Sequence, residues 1–454
     1  MTLSRAIVRA WMGEADKAIP AEVRLAARLH MLDAVGVGLA AASLEQGAPF
    51  VRMNTGNSGA IVALSGAVMN DPAEAALING GLIHSLEYDD THTASIIHGS
   101  SVFAATALAM GQAAGIAPEA AIRSYLLGYE VAIRIGLAAP GAFQQRGFQI
   151  TSVIGPLVAA LIAADMMDAS EDERVHAIGI ALSQSSGVFE FLTNGSTVKA
   201  MHPGWAAHAG ILAARLARAG LTGPETAIEG ARGLYAQFAS GGDAALHLAD
   251  AMRDFGAHWH MLDVAYKFLP CCHYIHPFVE AAGQLADQGI SATAISHLVL
   301  RIATGAAPIV CEPWAQKLNP ADGHAARWSL PVVVAARLVE GRVDHQTFRH
   351  RAAADVLSLA GRMSWEPLAN SRFPQAFEAE ILCRTIDGAE VTVRAPDVYG
   401  NVGRPAQRDD IIAKFRANAG FLLLQAGVEQ IEDFFLADSC MSFSSFGEAL
   451  RLHQ

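Results

Sequence analysis

Small apolar residues recur at helical spacing through roughly the first 260 positions, and this pattern restricts the possible folds more than any other feature. Between residues 21 and 42 the apolar side chains fall at intervals of about three and four, behind Pro20 as a first-turn residue. Further Ala/Leu-rich segments, separated mostly by Gly, Pro or Asp, are 72–89, 101–114, 119–138, 154–164, 172–185, 205–219 and 225–240. The pattern predicts a large all-helical domain in which Ala and Gly permit close helix contacts.

The residues beyond Lys267 differ, because two stretches have the character of strands. One is 295–304; in the other, 377–395, apolar and polar residues alternate and Asp387-Gly388 is a two-residue hairpin signal. Residues after Pro405 return to helical spacing. We therefore expect a mainly α protein with a large helical domain (1–266), a smaller α+β lid domain inserted near its C-terminal end (267–398), and a helical tail that packs back on the first domain (399–454).

The balance of apolar and charged residues bears on partners. Hydrophobic residues make up 52% of the 454-residue chain and charged residues 17%, which is more apolar side chain than one protomer's core needs. A buried interface between protomers is the simplest place for the excess. The formal charge of −12 argues against a nucleic-acid or anionic-membrane surface, since both require a basic stripe.

The sequence also indicates a compartment. The amino-terminal segment has no apolar stretch that fits a secretory signal. Other apolar segments are closed by Gly, Pro, Arg or Asp before about 18 residues accumulate, so we expect no membrane span. Five cysteines, with Cys271 and Cys272 adjacent, do not form a disulfide framework in a chain of this size. A cytoplasmic location fits these features.

The densest polar cluster runs from His84 to His98, between two apolar helical segments. Carboxylates, hydroxyls and imidazoles at this density require partners when they are removed from water. The cluster therefore predicts a loop that binds a ligand. An alternative is that Asp89 or Asp90 only caps the next helix and that His98 satisfies backbone groups.

Two further clusters contain a lysine. Lys199 and His202 lie in a Gly/Ser/Thr-bearing loop before a small-residue helix, where free amide groups and a cation favour a carboxylate. Lys267 stands where the helical pattern ends, and clefts often form at such junctions. The alternative for either residue is a lysine in solvent. Cys271, Cys272, His273 and His276 lack a zinc-site spacing, so we expect no metal, and no nucleotide loop follows a strand.

These three clusters, in this order and with their flanking stretches, resemble the MmgE/PrpD family. The family includes 2-methylcitrate dehydratase, cis-aconitate decarboxylase and iminodisuccinate epimerase. The matching stretches cover nearly the whole chain and are 31–36, 79–92 with His98, 147–152, 199–202 with Ala206-Ala207, Gly223-Pro224 with Glu229-Gly230, and 267–277.

The resemblance implies a helical domain, a lid domain, a homodimer and an active site in the cleft between the domains. The resemblance assigns the active site to five positions that this sequence retains, namely Asp89, Thr91, His98, Lys199 and Lys267. Lys199 and Lys267 would neutralise enolate-like charge, Asp89 would orient His98 or a lysine, and Thr91 would donate to a substrate carboxylate. Tyr274 completes the expected catalytic set, and the other expected substrate contacts are His92, Gln149, His202, Cys272 and His276.

Two positions depart from the family pattern. Gln149 and Cys272 stand where dehydratase-like and decarboxylase-like members often have histidine. Expelling a leaving group requires a general acid, whereas epimerisation requires bases facing two sides of one carbon. We therefore expect cofactor-independent epimerisation of a small di- or tricarboxylate of the iminodisuccinate kind. Two alternatives stay open: a dehydratase or decarboxylase in which other residues replace the histidines, and a non-catalytic carboxylate-binding helical dimer.

Overall fold

The structure is a computed structural model that describes residues 1–15, 17–53, 58–437 and 441–453. It divides into two compact units. The first unit contains Met1–Val264 and Gln407–Gln454, and the second contains Ala265–Ala406. The chain therefore leaves the helical unit, forms the second unit, and returns to the first.

The first unit is built almost entirely of helices. Its helices are Leu3–Gly13, Ala21–Ala42, Ala48–Arg52, Pro72–His84, Ser100–Ala114, Pro118–Leu137, Ala142–Gln145, Ile150–Met166, Glu171–Leu182, Phe191–Asn194, Met201–Arg218, Leu234–Phe238, Ala244–Ala251, Arg408–Ala419, Gln425–Leu436 and Phe443–Ala449. Short strands occur at Ile61–Val62, Val68–Met69 and Thr91–His92, and Val264–Ala265 lies at the boundary of the units.

Glycine permits the closest helix crossing in this unit. Helices Pro72–His84 and Met201–Arg218 meet at Gly80 and Gly204, where a Cβ on Gly80 would lie 2.7 Å from the Gly204 Cα. No larger residue fits at that distance, so the expectation of close helix contacts is confirmed. The crossing also places the start of Met201–Arg218, which carries His202, beside the helix that leads into the polar loop.

Helix Ala21–Ala42 lies in the core of the first unit. Gly36 lets the returning helix Arg408–Ala419 approach, since a Cβ there would lie 2.9 Å from Phe415 Cδ2. Within the part of the chain that the structure describes, Ala21–Ala42 is the helix with the length and hydropathy of a membrane span. However, 78% of that apolar window is buried inside the protein, as in a core helix.

The second unit combines helices with a four-stranded sheet. In spatial order the strands are Met363–Pro367, Ile295–Ile302, Ala379–Thr385 and Glu390–Ala395, with the first pair parallel and the others antiparallel. The helices are His276–Asp287, Ala307–Val310, Trp314–Leu318, Gly323–Ala326, Leu330–Glu340 and Ala354–Ala360. The hairpin turns at Gly388 with φ of 89°, and Ala379, Ile381 and Cys383 are buried. The expected fold class is therefore confirmed.

Some local expectations were wrong. The segment 225–240 is mostly turns and contains only the helix Leu234–Phe238, because Gly230 and Gly233 make tight contacts with the backbone of residues 226 and 227. The helix expected at 72–89 ends at His84. Phe421–Leu424 belongs to a turn between helices, which follows Gly420.

Candidate active site

The polar loop 85–98 is buried in the first unit. Its carboxylates Glu87, Asp89 and Asp90 are 4%, 0% and 1% exposed. Glu87 and Ile96 adopt left-handed backbone conformations, with φ of 53° and 59°. Each such residue costs about 1 kcal/mol or more and persists only where surrounding contacts hold it. The loop therefore fixes its side chains in a strained, water-poor setting.

Asp90 serves the adjoining helix. Its Oδ1 accepts from the Ser100 backbone N–H at 3.2 Å and its Oδ2 accepts from the Ser100 hydroxyl at 2.5 Å. The His30 Nδ1 lies 3.0 Å from the same Oδ2. Ser100 is the first residue of helix Ser100–Ala114, so the capping alternative holds for Asp90.

His98 is held in one tautomer. Its Nδ1 lies 3.0 Å from the Asp90 carbonyl oxygen and 2.9 Å from Thr91 Oγ1. A carbonyl oxygen only accepts, so Nδ1 carries the proton of the neutral ring and Nε2 carries the lone pair. The His98 backbone N–H also donates to Thr151 Oγ1 at 3.0 Å. Thr91 thus positions the imidazole, in addition to any role at a substrate carboxylate.

Asp89 orients His84, which differs from the expected role. The Asp89 Oδ2 lies 2.8 Å from His84 Nδ1, whereas Asp90 and Thr91 hold His98 Nδ1. His84 and His98 are nevertheless neighbours, with ring centroids 5.1 Å apart. The pattern of charged residues could not reveal this pairing, because the helix end at His84 decides which imidazole the carboxylate reaches.

Gln149 joins two imidazoles. Its side-chain nitrogen lies 3.2 Å from His84 Nε2, and its Oε1 lies 2.6 Å from His202 Nδ1. Since His84 Nδ1 donates to Asp89, the neutral ring accepts from the Gln149 amide at Nε2, and His202 Nδ1 donates to Oε1. Burial, then the neighbouring His84 and Lys199, lower the pKa of His202 to about 4. His202 is therefore a neutral donor near pH 7.

Lys199 is paired with a carboxylate that the sequence analysis did not select. The Lys199 Nζ lies 2.6 Å from both oxygens of Glu87, and both side chains are nearly buried. Glu87 Oε1 is also 3.8 Å from His84 Nε2. The sequence did offer a signal for Glu87, because it is a carboxylate in the dense polar cluster, three residues after His84. His84 is the first residue of that cluster but was not among the predicted site residues.

The candidates of the second unit have different surroundings. Lys267 is 1% exposed. The Cys272 backbone N–H donates to the Arg327 carbonyl oxygen at 2.9 Å, and His276 Nε2 lies 3.3 Å from the Cys271 carbonyl oxygen. Tyr274 contacts the rings of Phe373 and Phe377, with centroids 5.3 and 4.9 Å away. Burial, then the neighbouring Cys272, raise the pKa of the Tyr274 hydroxyl well above its ordinary value.

Comparison with known proteins assigns most of the chain to one family. Residues 13–247 match the MmgE/PrpD N-terminal domain, and residues 269–437 match the MmgE/PrpD C-terminal domain. The chain belongs to the MmgE/PrpD family. The resemblance noted in the sequence is therefore confirmed.

Curated relatives of this MmgE/PrpD chain include cis-aconitate decarboxylases. The chain is 24% identical to the Aspergillus terreus enzyme over 444 residues, which cover 92% of this chain and 89% of the relative. It is 29% identical to the Homo sapiens enzyme over 380 residues, covering 79% of this chain and 75% of the relative. The Mus musculus enzyme is 27% identical over 383 residues, covering 79% and 74%.

The buried groups of this MmgE/PrpD protein suit one kind of chemistry. The first unit brings together two imidazoles in defined tautomers, a lysine and three carboxylates; His98 is half-buried and the others are buried. Cations in such surroundings stabilise developing negative charge more strongly than they do in water. Imidazole nitrogens with lone pairs can accept protons.

Proposed function

We propose that this chain catalyses cofactor-independent proton transfer at a carbon next to a carboxylate of a small di- or tricarboxylate. The observation that carries the proposal is the cluster of buried His84, Lys199 and Glu87 with the half-buried His98. It pairs a neutral imidazole base with a lysine that already holds a carboxylate. Membership of an enzyme family supports a catalytic role over a purely binding one.

In this proposal His98 Nε2 accepts the proton, because its Nδ1 is held by Asp90 and Thr91. The electron pair of the broken C–H bond moves into the adjacent carboxylate and gives an enolate-like dianion. Lys199 neutralises that charge, and the substrate carboxylate takes the place beside Nζ that Glu87 occupies. Lys267 and Tyr274 are the remaining residues that we propose for catalysis.

The similarity to cis-aconitate decarboxylases favours a lyase outcome, so we place decarboxylation or dehydration of a tricarboxylate first. In decarboxylation the C–C bond breaks, carbon dioxide leaves, and the resulting carbanion takes a proton from the enzyme. Epimerisation of a dicarboxylate such as iminodisuccinate is the second candidate. It is favoured by Gln149, an amide that bridges His84 and His202 and cannot supply a proton as an acid.

We also propose that the protein acts as a homodimer in the cytoplasm, following the apolar composition and the cysteine content. Light scattering of the purified chain measures the oligomeric state. A monomer at all concentrations would contradict the dimer. It would not bear on the proton-transfer proposal, which is tested separately.

The test of function uses the whole chain in deuterium oxide with cis-aconitate, 2-methylcitrate and iminodisuccinate. Mass spectrometry and chiral separation distinguish loss of carbon dioxide or water from deuterium exchange with inversion. A lyase changes the mass beyond exchange, whereas an epimerase incorporates deuterium and inverts the carbon. Binding of these compounds without exchange or turnover would show a carboxylate-binding protein and overturn the proposal.

Replacing both Gln149 and Cys272 with histidine should raise any lyase turnover.

A further inference from the structure

Two histidines and an aspartate from distant parts of the chain converge in the first unit. His92 lies in the short strand Thr91–His92, while His260 and Asp263 are the ends of the 3-10 helix His260–Asp263. One potential ligand atom from each of the three lies within 4.8 Å of the others. The separation along the chain explains why no zinc-site spacing marked these residues, and why the sequence analysis expected no metal.

The three side chains differ in exposure in a way that suits a cation site with one open side. His92 is 3% exposed, whereas the side chains of His260 and Asp263 are 17% and 37% exposed. Two groups of Ser95 contact His92 Nδ1: the hydroxyl oxygen lies 2.7 Å away and the backbone N–H donates at 3.3 Å. A cation bound at Nε2 moves the ring proton to Nδ1, where the Ser95 hydroxyl oxygen accepts it. A hydrogen-bonding partner on the other ring nitrogen is what holds a metal-binding imidazole in orientation.

The chemistry of the three side chains supports the same interpretation. Two imidazoles and one carboxylate, with potential ligand atoms within 4.8 Å of one another, are a donor set typical of zinc and similar divalent ions.

We propose that His92, His260 and Asp263 bind a divalent cation of the zinc class, with water completing the coordination. Ligand distances of about 2.0–2.1 Å place the ligands of a tetrahedral ion roughly 3.4 Å apart. The present spacing of up to 4.8 Å therefore contracts when the cation binds. Rotation of the half-exposed Asp263 and His260 side chains accommodates this contraction.

The cation has a structural role next to the reactive cluster. It ties the strand Thr91–His92 to the 3-10 helix His260–Asp263, and Thr91 Oγ1 is the group that lies 2.9 Å from His98 Nδ1. Loading the site therefore restrains the loop that positions His98. No step of the reaction passes through the cation, so this proposal stands or fails independently of the proposed function.

The experiment titrates the tag-free, chelator-treated full chain with Zn²⁺ by calorimetry and with Co²⁺ by absorption spectroscopy. We expect one site per chain, a Co²⁺ spectrum without a thiolate charge-transfer band, and a raised melting temperature. Asp263→Asn and His260→Ala, at half-exposed positions, should each weaken binding at least tenfold. His350→Ala, at an exposed position in the second unit, is the matched control and should bind as the wild type does.

Two further variants separate this site from its neighbours. His92→Asn should also weaken binding at least tenfold, with circular dichroism reporting whether the fold is kept. The ring of His258 lies 4.5 Å from that of His260, so these two could hold a cation at the surface. Binding that is lost in His258→Ala and retained in His92→Asn and Asp263→Asn would overturn the proposal. Non-stoichiometric binding, or a thiolate band from the cysteines, would also overturn it.

Discussion

Several polar candidates in the first unit bond to one another, whereas Cys272, Tyr274 and His276 of the second unit contact backbone groups or aromatic rings. Lys199 holds Glu87, Asp89 holds His84, and Gln149 joins two imidazoles. Tyr274, by contrast, contacts Phe373 and Phe377, and Cys272 bonds to a backbone carbonyl. The first unit therefore holds a network of charged and polar side chains, and Tyr274 of the second unit lies among aromatic rings.

The difference indicates a division of tasks. A network of mutually bonded charges sets protonation states, because each partner fixes the tautomer or charge of the next. An apolar and aromatic setting instead raises the energy of any charge placed in it and so governs shape and water content. The first unit is thus expected to carry the proton chemistry. The second is expected to contribute Lys267 and to select the substrate.

Removing Lys199 should produce the largest effect. We expect Lys199→Met to lower turnover by about a hundredfold or more, as for loss of a group that stabilises transition-state charge. Because the change leaves the Glu87 carboxylate buried without its lysine, the fold needs a separate check. Turnover of the three candidate acids is the measurement. Lys17→Met, which removes an exposed lysine from its ion pair with the nearly buried Glu14, is the control.

The double variant Lys199→Met with Glu87→Gln separates chemistry from stability. Neutralising Glu87 removes the unpaired charge, so the melting temperature should recover while turnover stays low. If turnover recovers together with the melting temperature, Lys199 has only a structural role. Near-normal turnover of Lys199→Met itself would contradict the charge network as the reactive part.

Lys267 tests whether the second unit takes part in the chemistry. We expect Lys267→Met to lower turnover by about a hundredfold, because a nearly buried lysine stabilises negative charge strongly. Arg301→Met removes another cation of that unit, from ion pairs with Glu366 and Glu380, and should leave turnover unchanged. Equal turnover in wild type and Lys267→Met would confine the chemistry to the first unit.

Most of the fold could be predicted because the spacing of apolar residues and the turn residues between them determine local structure. The helix Ala21–Ala42 and the hairpin around Gly388 follow from apolar spacing and from a turn signal. The error at 225–240 arose where apolar residues have helical spacing but Gly230 and Gly233 pack against nearby backbone. The spacing of apolar residues does not show that these two glycines bring the chain back against residues 226 and 227.

The sequence predicted which residues belong to the site better than it predicted which of them bond to one another. The dense loop marked Asp89, Thr91 and His98, and the structure gathers them with Lys199 in one unit. Which carboxylate meets which imidazole depends on where the helix ends and on the left-handed backbone at Glu87. The His92, His260 and Asp263 cluster has no local signal at all, since its members meet only in the folded chain.

The variant Gln149→Glu tests the charge network of the first unit. In Gln149→Glu the new carboxylate cannot donate to His84 Nε2, so His84 gains a proton and its charge changes. We expect turnover to fall by roughly tenfold, with the pH optimum shifted upward because the imidazolium must lose that proton. Rate measurements from pH 5 to 10 check this. Gln184→Glu, at a side chain that bonds only to a backbone carbonyl among the described contacts, is the control.

Tyr274 should give the smallest effect if the second unit mainly provides shape. Burial and the nearby Cys272 raise the pKa of its hydroxyl, so the phenol keeps its proton above pH 10 and cannot act as a base near neutrality. We expect Tyr274→Phe to lower turnover only about threefold, because the change removes the hydroxyl while the ring contacts with Phe373 and Phe377 persist. The pH–rate profile of the variant should run parallel to that of the wild type from pH 6 to 10. A hundredfold loss, or disappearance of one limb of the profile, would show that the aromatic setting hides a proton-transferring group, and the division of tasks between the two units would then be wrong.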